Sequence, residues 1–139
     1  MSRSPLDLDP DVRAMWEEHE RLCAMEGIIL RLTQTYRTPE EQAALYAKGR
    51  TAPGRIVTHA PPGYSFHEFR RAYDVAIKSY PEDITPQDWY DGPWGHVGEL
   101  GEVAGMEWGG RWKKPDRPHF EHRAGKTLAQ WRAAAGWTA

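Results

Sequence analysis

Residues 65–77 read SFHEFRRAYDVAI, and the second half of this stretch decides the fold. From Ala72 to Ile77 the side chains alternate. Tyr73, Val75 and Ile77 fall on one side, Ala72, Asp74 and Ala76 on the other. A period of two marks a strand with unlike faces. Asp74 is an acid in mid-strand among small neighbours, an odd choice for a purely structural strand. The expectation is a sheet with one apolar face turned to a core and one polar, open face.

The neighbouring segments extend this sheet. Ile28 to about Tyr36, IILRLTQTY, is rich in β formers. Leu30, Leu32 and Tyr36 point one way; Arg31, Thr33, Thr35 and Arg37 point the other. Pro118 to His122 is expected as a short strand with His119 and Glu121 on one face and His122 on the opposite one. Helices cover the core face. The first runs from about Asp9 to Met25, with Asp9 as N-cap, Pro10 at the first position and Gly27 at the stop. Its Val12, Met15, Trp16, His19, Leu22 and Cys23 share one face, which makes His19 and Cys23 packing residues. The second starts at Thr38-Pro39-Glu40-Glu41, a capping box, and closes at Lys48 and Gly49. Trp94 to Gly105 has helical spacing weakened by Gly95, Gly98 and Gly101. A last helix is capped by Thr127 and stopped by Gly136, with Leu128, Trp131 and Ala135 together. The fold class is α+β: a small single domain spanning residues 1–139, an antiparallel sheet with helices on one face.

Composition bounds the function. The chain has 139 residues, a net charge of −2 and one cysteine. A slightly acidic balance argues against a nucleic-acid binder, and the basic run Arg111, Lys113, Lys114, Arg117 is broken by Pro115 and Asp116. One cysteine excludes an internal disulfide framework. No apolar run approaches a membrane span. The N-terminal MSRSPLDLDP has no apolar core of a secretory signal, so the expectation is a protein made in the cytoplasm. Six His and seven Trp are the unusual counts, and they direct the search to metal ligands and stacking surfaces.

Three segments carry chemistry: TYRTPEEQ at 35–42, SFHEFRRAYD at 65–74 and DRPH at 116–119. His67 opens a sequence that lacks the second His of the H-E-x-x-H zinc motif. His67 and Asp74 can share the open sheet face if residues 68–71 turn, and His119 can join them from a neighbouring strand. Two imidazoles and a carboxylate make a three-ligand zinc site with a position left for water. Scattered solvated or packed side chains explain the same spacing, and both readings stand at this level. Residues 50–64 form a long loop of the kind that is usually functional.

Taken together, SxHxxxxAxD and DxxH resemble the zinc D-Ala-D-Ala carboxypeptidases and dipeptidases, with their phage-endolysin branch of L-alanyl-D-glutamate endopeptidases. The resemblance extends over YRTPEEQAALYAKGR, PG, IVT, PPGYSFH, AYDVAI and MEWGGRWKKPDRPHFEH. It implies a zinc site on the open face of the antiparallel sheet, with one Zn2+ per chain held by His67, Asp74 and His119. It implies Asp116 as acid/base, Arg37 as the arginine that steadies the substrate carbonyl, and Ser65 and Gln42 as substrate-contacting or supporting residues. The implied activity is hydrolysis of peptidoglycan stem peptides, as an L-alanyl-D-glutamate endopeptidase or, alternatively, a D-Ala-D-Ala carboxypeptidase. A non-catalytic wall-binding module with structural zinc is the competing class; the acid at 116 argues against it. The expected partner is the stem peptide, without nucleic acid or membrane insertion, and the chain is expected as a monomer. An endolysin without a signal would reach the cell wall through a holin pore. Two positions depart from the family pattern: Arg70 stands where Gly is usual, and Arg111 replaces the acid of a WGGDW pattern. His59 and His96 are expected at the surface, and Glu68 in solvent. Trp108 and Trp112 are open to either packing or stacking.

Overall fold

A computed structural model describes residues 1–81 and 93–137. Among these residues, four strands, β1 (Ile29–Gln34), β2 (Ala72–Ser79), β3 (Glu107–Trp108) and β4 (His119–Glu121), form one antiparallel sheet in the order β1-β2-β4-β3. The helices are α1 (Pro10–Met25), α2 (Pro39–Ala47), α3 (Trp94–Val103) and α4 (Leu128–Ala134). The α+β expectation holds, and the short β3 is an addition that two residues of sequence could not announce.

One sheet face carries the core. Leu30, Leu32, Tyr73, Val75, Trp108 and Phe120 meet Val12, Trp16 and Cys23 of α1 and Val97 of α3. Tyr73 and Phe120 stack with ring centroids 5.5 Å apart, and Trp16 meets Tyr73 edge-on at 5.2 Å. Such aromatic pairs add about 0.5–1.5 kcal/mol each beyond their buried area. His19 is fully buried within this layer, as its helical spacing required. Its Nε2 donates to the Val97 carbonyl at 2.8 Å, so Nδ1 accepts from the Tyr73 hydroxyl at 2.7 Å. Burial lowers its pKa to about 4.

Gly98 and Gly101 of α3 are a packing requirement. A Cβ on Gly98 would lie 2.2 Å from the Trp108 ring, and one on Gly101 would lie 2.4 Å from Phe120. The helix accepts a propensity cost of about 1 kcal/mol per glycine to approach the sheet. Trp108 is thereby a core residue, 3% exposed, its Nε1 donating to the Arg117 carbonyl.

Two expectations are corrected. The alternation of the first strand does not run on to Arg37. A register irregularity falls between Leu32 and Gln34, after which Thr35 is fully buried. Arg37 is therefore oriented by the turn after the strand and by the capped start of α2. In α4 the buried residue is Arg132, which donates to the Gly63 carbonyl, rather than the apolar set Leu128, Trp131 and Ala135. The helix docks on the loop before the site through a guanidinium.

The expected capping box exists at Thr38/Glu41, and the expected cap at Thr127 is a second box completed by Gln130. Arg70 does adopt the left-handed conformation that glycine favours, with φ 62°. Its side chain offsets the strain by donating to the Asp7 carbonyl at 2.9 Å and stacking 3.9 Å over the Tyr36 ring.

Candidate metal and catalytic site

The strand register brings the chemistry together. Asp74 of β2 lies directly opposite His119 of β4 and Gln34 of β1. His67 enters from a single 3-10 turn, Phe66–Phe69, that ends at Arg70 and feeds β2. Ser65 caps this turn by accepting from the His67 backbone N–H, and Glu68 answers from inside it. Glu68 is buried, against the solvent expectation: its carboxylate accepts from the backbone N–H groups of Gly63 and Ser65 and so folds the loop that precedes the site. Burial raises its pKa, and the backbone donors oppose that rise.

His67, Asp74 and His119 each offer one donor atom, all within 4.8 Å of one another. Asp74 Oδ1 is 3.3 Å from His67 Nε2 and 3.0 Å from His119 Nδ1. A tetrahedral zinc with bonds of about 2.0–2.1 Å spaces its N and O ligands roughly 3.3 Å apart. Both Asp74 contacts match that spacing, and the donor set of two imidazoles and one carboxylate suits such an ion. Each imidazole is also held from behind. His67 Nδ1 lies 2.8 Å from the Thr35 carbonyl, which can only accept, so its Nε2 is the free donor. Burial would raise the pKa of Asp74, but hydrogen bonds from both imidazoles hold it well below the usual carboxylate range. Burial would lower the pKa of His119, but Asp74 and Glu121 raise it to about 9.

The cluster sits in a cavity of about 420 Å³ on the open sheet face, lined among others by Gln34, Arg37, Ser65, Trp112 and Asp116. Asp116 keeps solvent contact at the rim, yet the cavity walls desolvate its carboxyl enough to raise its pKa; Asp74 adds to that rise, and His119, His67 and Arg37 oppose it. Arg37 is 8% exposed. Its Nη1 donates to Gln42 Oε1 at 2.7 Å and its Nη2 to Gln34 Oε1, while its buried Nε has no partner among the described residues. Burial lowers the Arg37 pKa; Asp74, Glu68, Glu41 and Asp116 pull the other way.

Six of the seven residues singled out in the sequence thus line one cavity: Arg37, Ser65, His67, Asp74, Asp116 and His119. Gln42 does not; it is fully buried behind Arg37 and ties it to the Ala60 carbonyl. Gln34 and Glu121 line the cavity as well and carried no role in the sequence reading. The alternation of β4 had placed Glu121 beside His119, and that was the available signal. Trp112 stands at the rim, 39% exposed, its ring 5.1 Å from that of His119. Arg111 turns away and pairs with Glu102 of α3, so this departure from the family pattern does not reach the cavity.

Residues 58–122 match a family model described as D-alanyl-D-alanine carboxypeptidase. The chain is 37% identical over 124 residues to the peptidoglycan L-alanyl-D-glutamate endopeptidase CwlK of Bacillus subtilis (strain 168), covering 84% of this chain and 74% of the relative. Among solved structures it resembles the L-Ala D-Glu endopeptidase ChiX of Serratia marcescens, with a TM-score of 0.59, 19% identity, and 94% and 90% of the two chains covered. The LD-carboxypeptidase LdcB aligns with a TM-score of 0.62 at 18% identity, over 94% of this chain and 72% of that one. The vancomycin-resistance D,D-pentapeptidase VanY, solved with Zn(II), aligns at 0.59 and 14% identity, over 89% and 83%. These structural likenesses are likenesses of fold. On the sequence match, this chain belongs to the family of zinc D-Ala-D-Ala carboxypeptidases and L-alanyl-D-glutamate endopeptidases, and it is a peptidase.

Proposed function

We propose that this chain is a zinc peptidase that cuts peptidoglycan stem peptides between L-Ala and D-Glu, working as a monomer with residues 1–139 as one catalytic unit. The observation that carries the reading is the convergence of His67 Nε2, Asp74 Oδ1 and His119 Nδ1 beside Asp116 in one cavity. The choice of bond rests on the kinship with CwlK. These three residues would hold one zinc ion, which would supply a Lewis acid and lower the pKa of a water to about 7. Asp116 accepts the proton of the attacking water and returns it to the leaving amine. Arg37 faces the carbonyl oxygen as negative charge develops there, a role whose loss typically costs ~3–4 kcal/mol per donor. Ser65 contacts the peptide from the cavity wall, and Gln42 holds Arg37 in place. The site of action is the cell wall. Among the described residues, no helix is long and apolar enough to cross a membrane.

The test is digestion of purified peptidoglycan with mass analysis of the fragments, alongside elemental analysis of the protein. Release of peptides beginning at D-Glu, abolished by chelation and restored by zinc, is expected. Loss of terminal D-Ala alone would move the activity to the carboxypeptidase branch. Hydrolysis by protein that contains no transition metal would overturn the zinc reading.

A further inference from the structure

We propose that Glu121 is a positioning residue for the metal centre, holding the His119 ring so that Nδ1 faces the metal position. The inference rests on the zinc reading above. His119 has two ring nitrogens with different neighbours. Nδ1 lies 3.0 Å from Asp74 Oδ1, among the converging donors. Nε2 lies 2.8 Å from Glu121 Oε1, on the far edge of the ring. An ionised carboxylate only accepts hydrogen bonds, so Nε2 keeps its proton, and Nδ1 is the nitrogen that can give up its own and offer a lone pair to the metal.

Glu121 is itself fixed on both sides. Its side chain is 4% exposed, so water does not compete for the His119 proton. Its second oxygen accepts from Arg123 Nε at 2.8 Å, and Arg123 also reaches Glu107 Oε2 at 3.5 Å. Glu107 is the register partner of Glu121 across the β3–β4 pair. A line of contacts therefore runs from the metal position through His119, Glu121 and Arg123 to the neighbouring strand. His67 is held by the Thr35 backbone carbonyl, a neutral acceptor that no side-chain change removes. Of the two imidazoles, His119 has a charged side chain behind it, and charge-assisted bonds of this kind are roughly twice as strong as neutral ones. Glu121 is outside the converging set of donors and faces the opposite nitrogen, so it acts through His119 and not as a fourth ligand.

The experiment measures zinc affinity of the full chain, stripped of metal, by competition with a chromogenic zinc chelator. Wild type, Glu121→Gln and Arg123→Gln are compared, each with its far-UV circular dichroism and melting temperature in the metal-free state. Glu121→Gln keeps the side-chain shape and removes the charge. Zinc affinity is expected to fall about 10–100-fold in Glu121→Gln and by a smaller factor in Arg123→Gln, with secondary structure unchanged. Wild type that binds no zinc overturns the metal reading and this inference with it. Wild type that binds zinc beside a folded Glu121→Gln of equal affinity overturns this inference alone. If Glu121→Gln does not fold, Arg123→Gln decides: its side chain is 46% exposed, and unchanged zinc affinity there removes Glu121 from the role.

Discussion

Arg37 Nη1 donates to Gln42 Oε1 at 2.7 Å, and the amide nitrogen of the same glutamine donates to the Ala60 carbonyl at 2.6 Å. One fully buried side chain thus joins the arginine of the cavity to the loop that forms part of its wall. Gln42→Leu keeps the volume and strands both partners. Leaving a buried polar group unsatisfied costs about 1–3 kcal/mol. The expected result is a loss of stability in that range by urea unfolding, unchanged zinc content, and a fall in kcat/KM of at least ~10-fold, equal to about 1.4 kcal/mol of transition-state stabilisation. Full turnover in the destabilised variant would confine Gln42 to stability.

Asp116→Asn tests the proton acceptor. The residue lines the cavity but is not one of the three converging donors. An amide of the same shape cannot take the proton of water, so turnover is expected to drop by roughly 10²–10⁴-fold. Zinc stoichiometry by elemental analysis stays at one per chain. Loss of the metal in Asp116→Asn would make the residue a ligand and leave the base unassigned.

What the sequence disclosed of this site follows from how local each signal is. The caps at Thr38 and Thr127 were legible because a capping box is a four-residue event. The open face was legible from Asp74, because alternation within a strand needs no partner. The pairing of Asp74 with His119 was not, since register between segments 45 residues apart depends on the whole sheet; family resemblance supplied that pair. Gln34 was missed because the irregularity before it breaks the alternation that would have placed it. Glu68 was read as solvated for want of any view of the loop it binds, and Gln42 was tied to the site by family resemblance alone. Arg132 defeats an apolar-face reading of α4, because its burial comes from a carbonyl and two aromatic rings of other segments, Tyr64 at 4.0 Å and Trp137 at 5.4 Å.

Gly98→Ala measures how closely α3 lies on the sheet. Helix propensity alone predicts a gain of about 1 kcal/mol. The new Cβ would fall 2.2 Å from the Trp108 ring, which is buried and cannot swing away. Overpacking of this kind costs typically 1–3 kcal/mol and occasionally more. The steric effect is expected to win, giving a net destabilisation by thermal or urea unfolding. A variant more stable than wild type would show that the helix has room to move.

Stability should fall with pH in a window set by His19. Folded, its pKa is lowered to about 4 by burial, against an ordinary value of 6.5. The unfolded chain therefore binds the proton more readily than the folded one, and stability declines as pH drops. The contribution is complete above pH 6.5, is lost progressively between 6.5 and 4, and changes no further below that. One pKa unit corresponds to about 1.4 kcal/mol, so the loss between pH 6.5 and 4.5 approaches ~2–3 kcal/mol. The ring supplies one donor to Val97 and one acceptor to Tyr73, and a glutamine can offer both without titrating. His19→Gln is expected to be less stable near neutrality but to lose less on acidification, since the carboxylates with lowered pKa, such as Asp11, titrate mainly below this range. Protein stripped of metal is the material to use: the raised pKa of His119 acts between about 9 and 6.5, above this window, whereas protons would compete with bound zinc for its ligands within it. Urea unfolding of wild type and variant at pH 6.5, 5.5 and 4.5 gives the two slopes. Parallel slopes would show that the His19 proton is not the one that separates the folded and unfolded states.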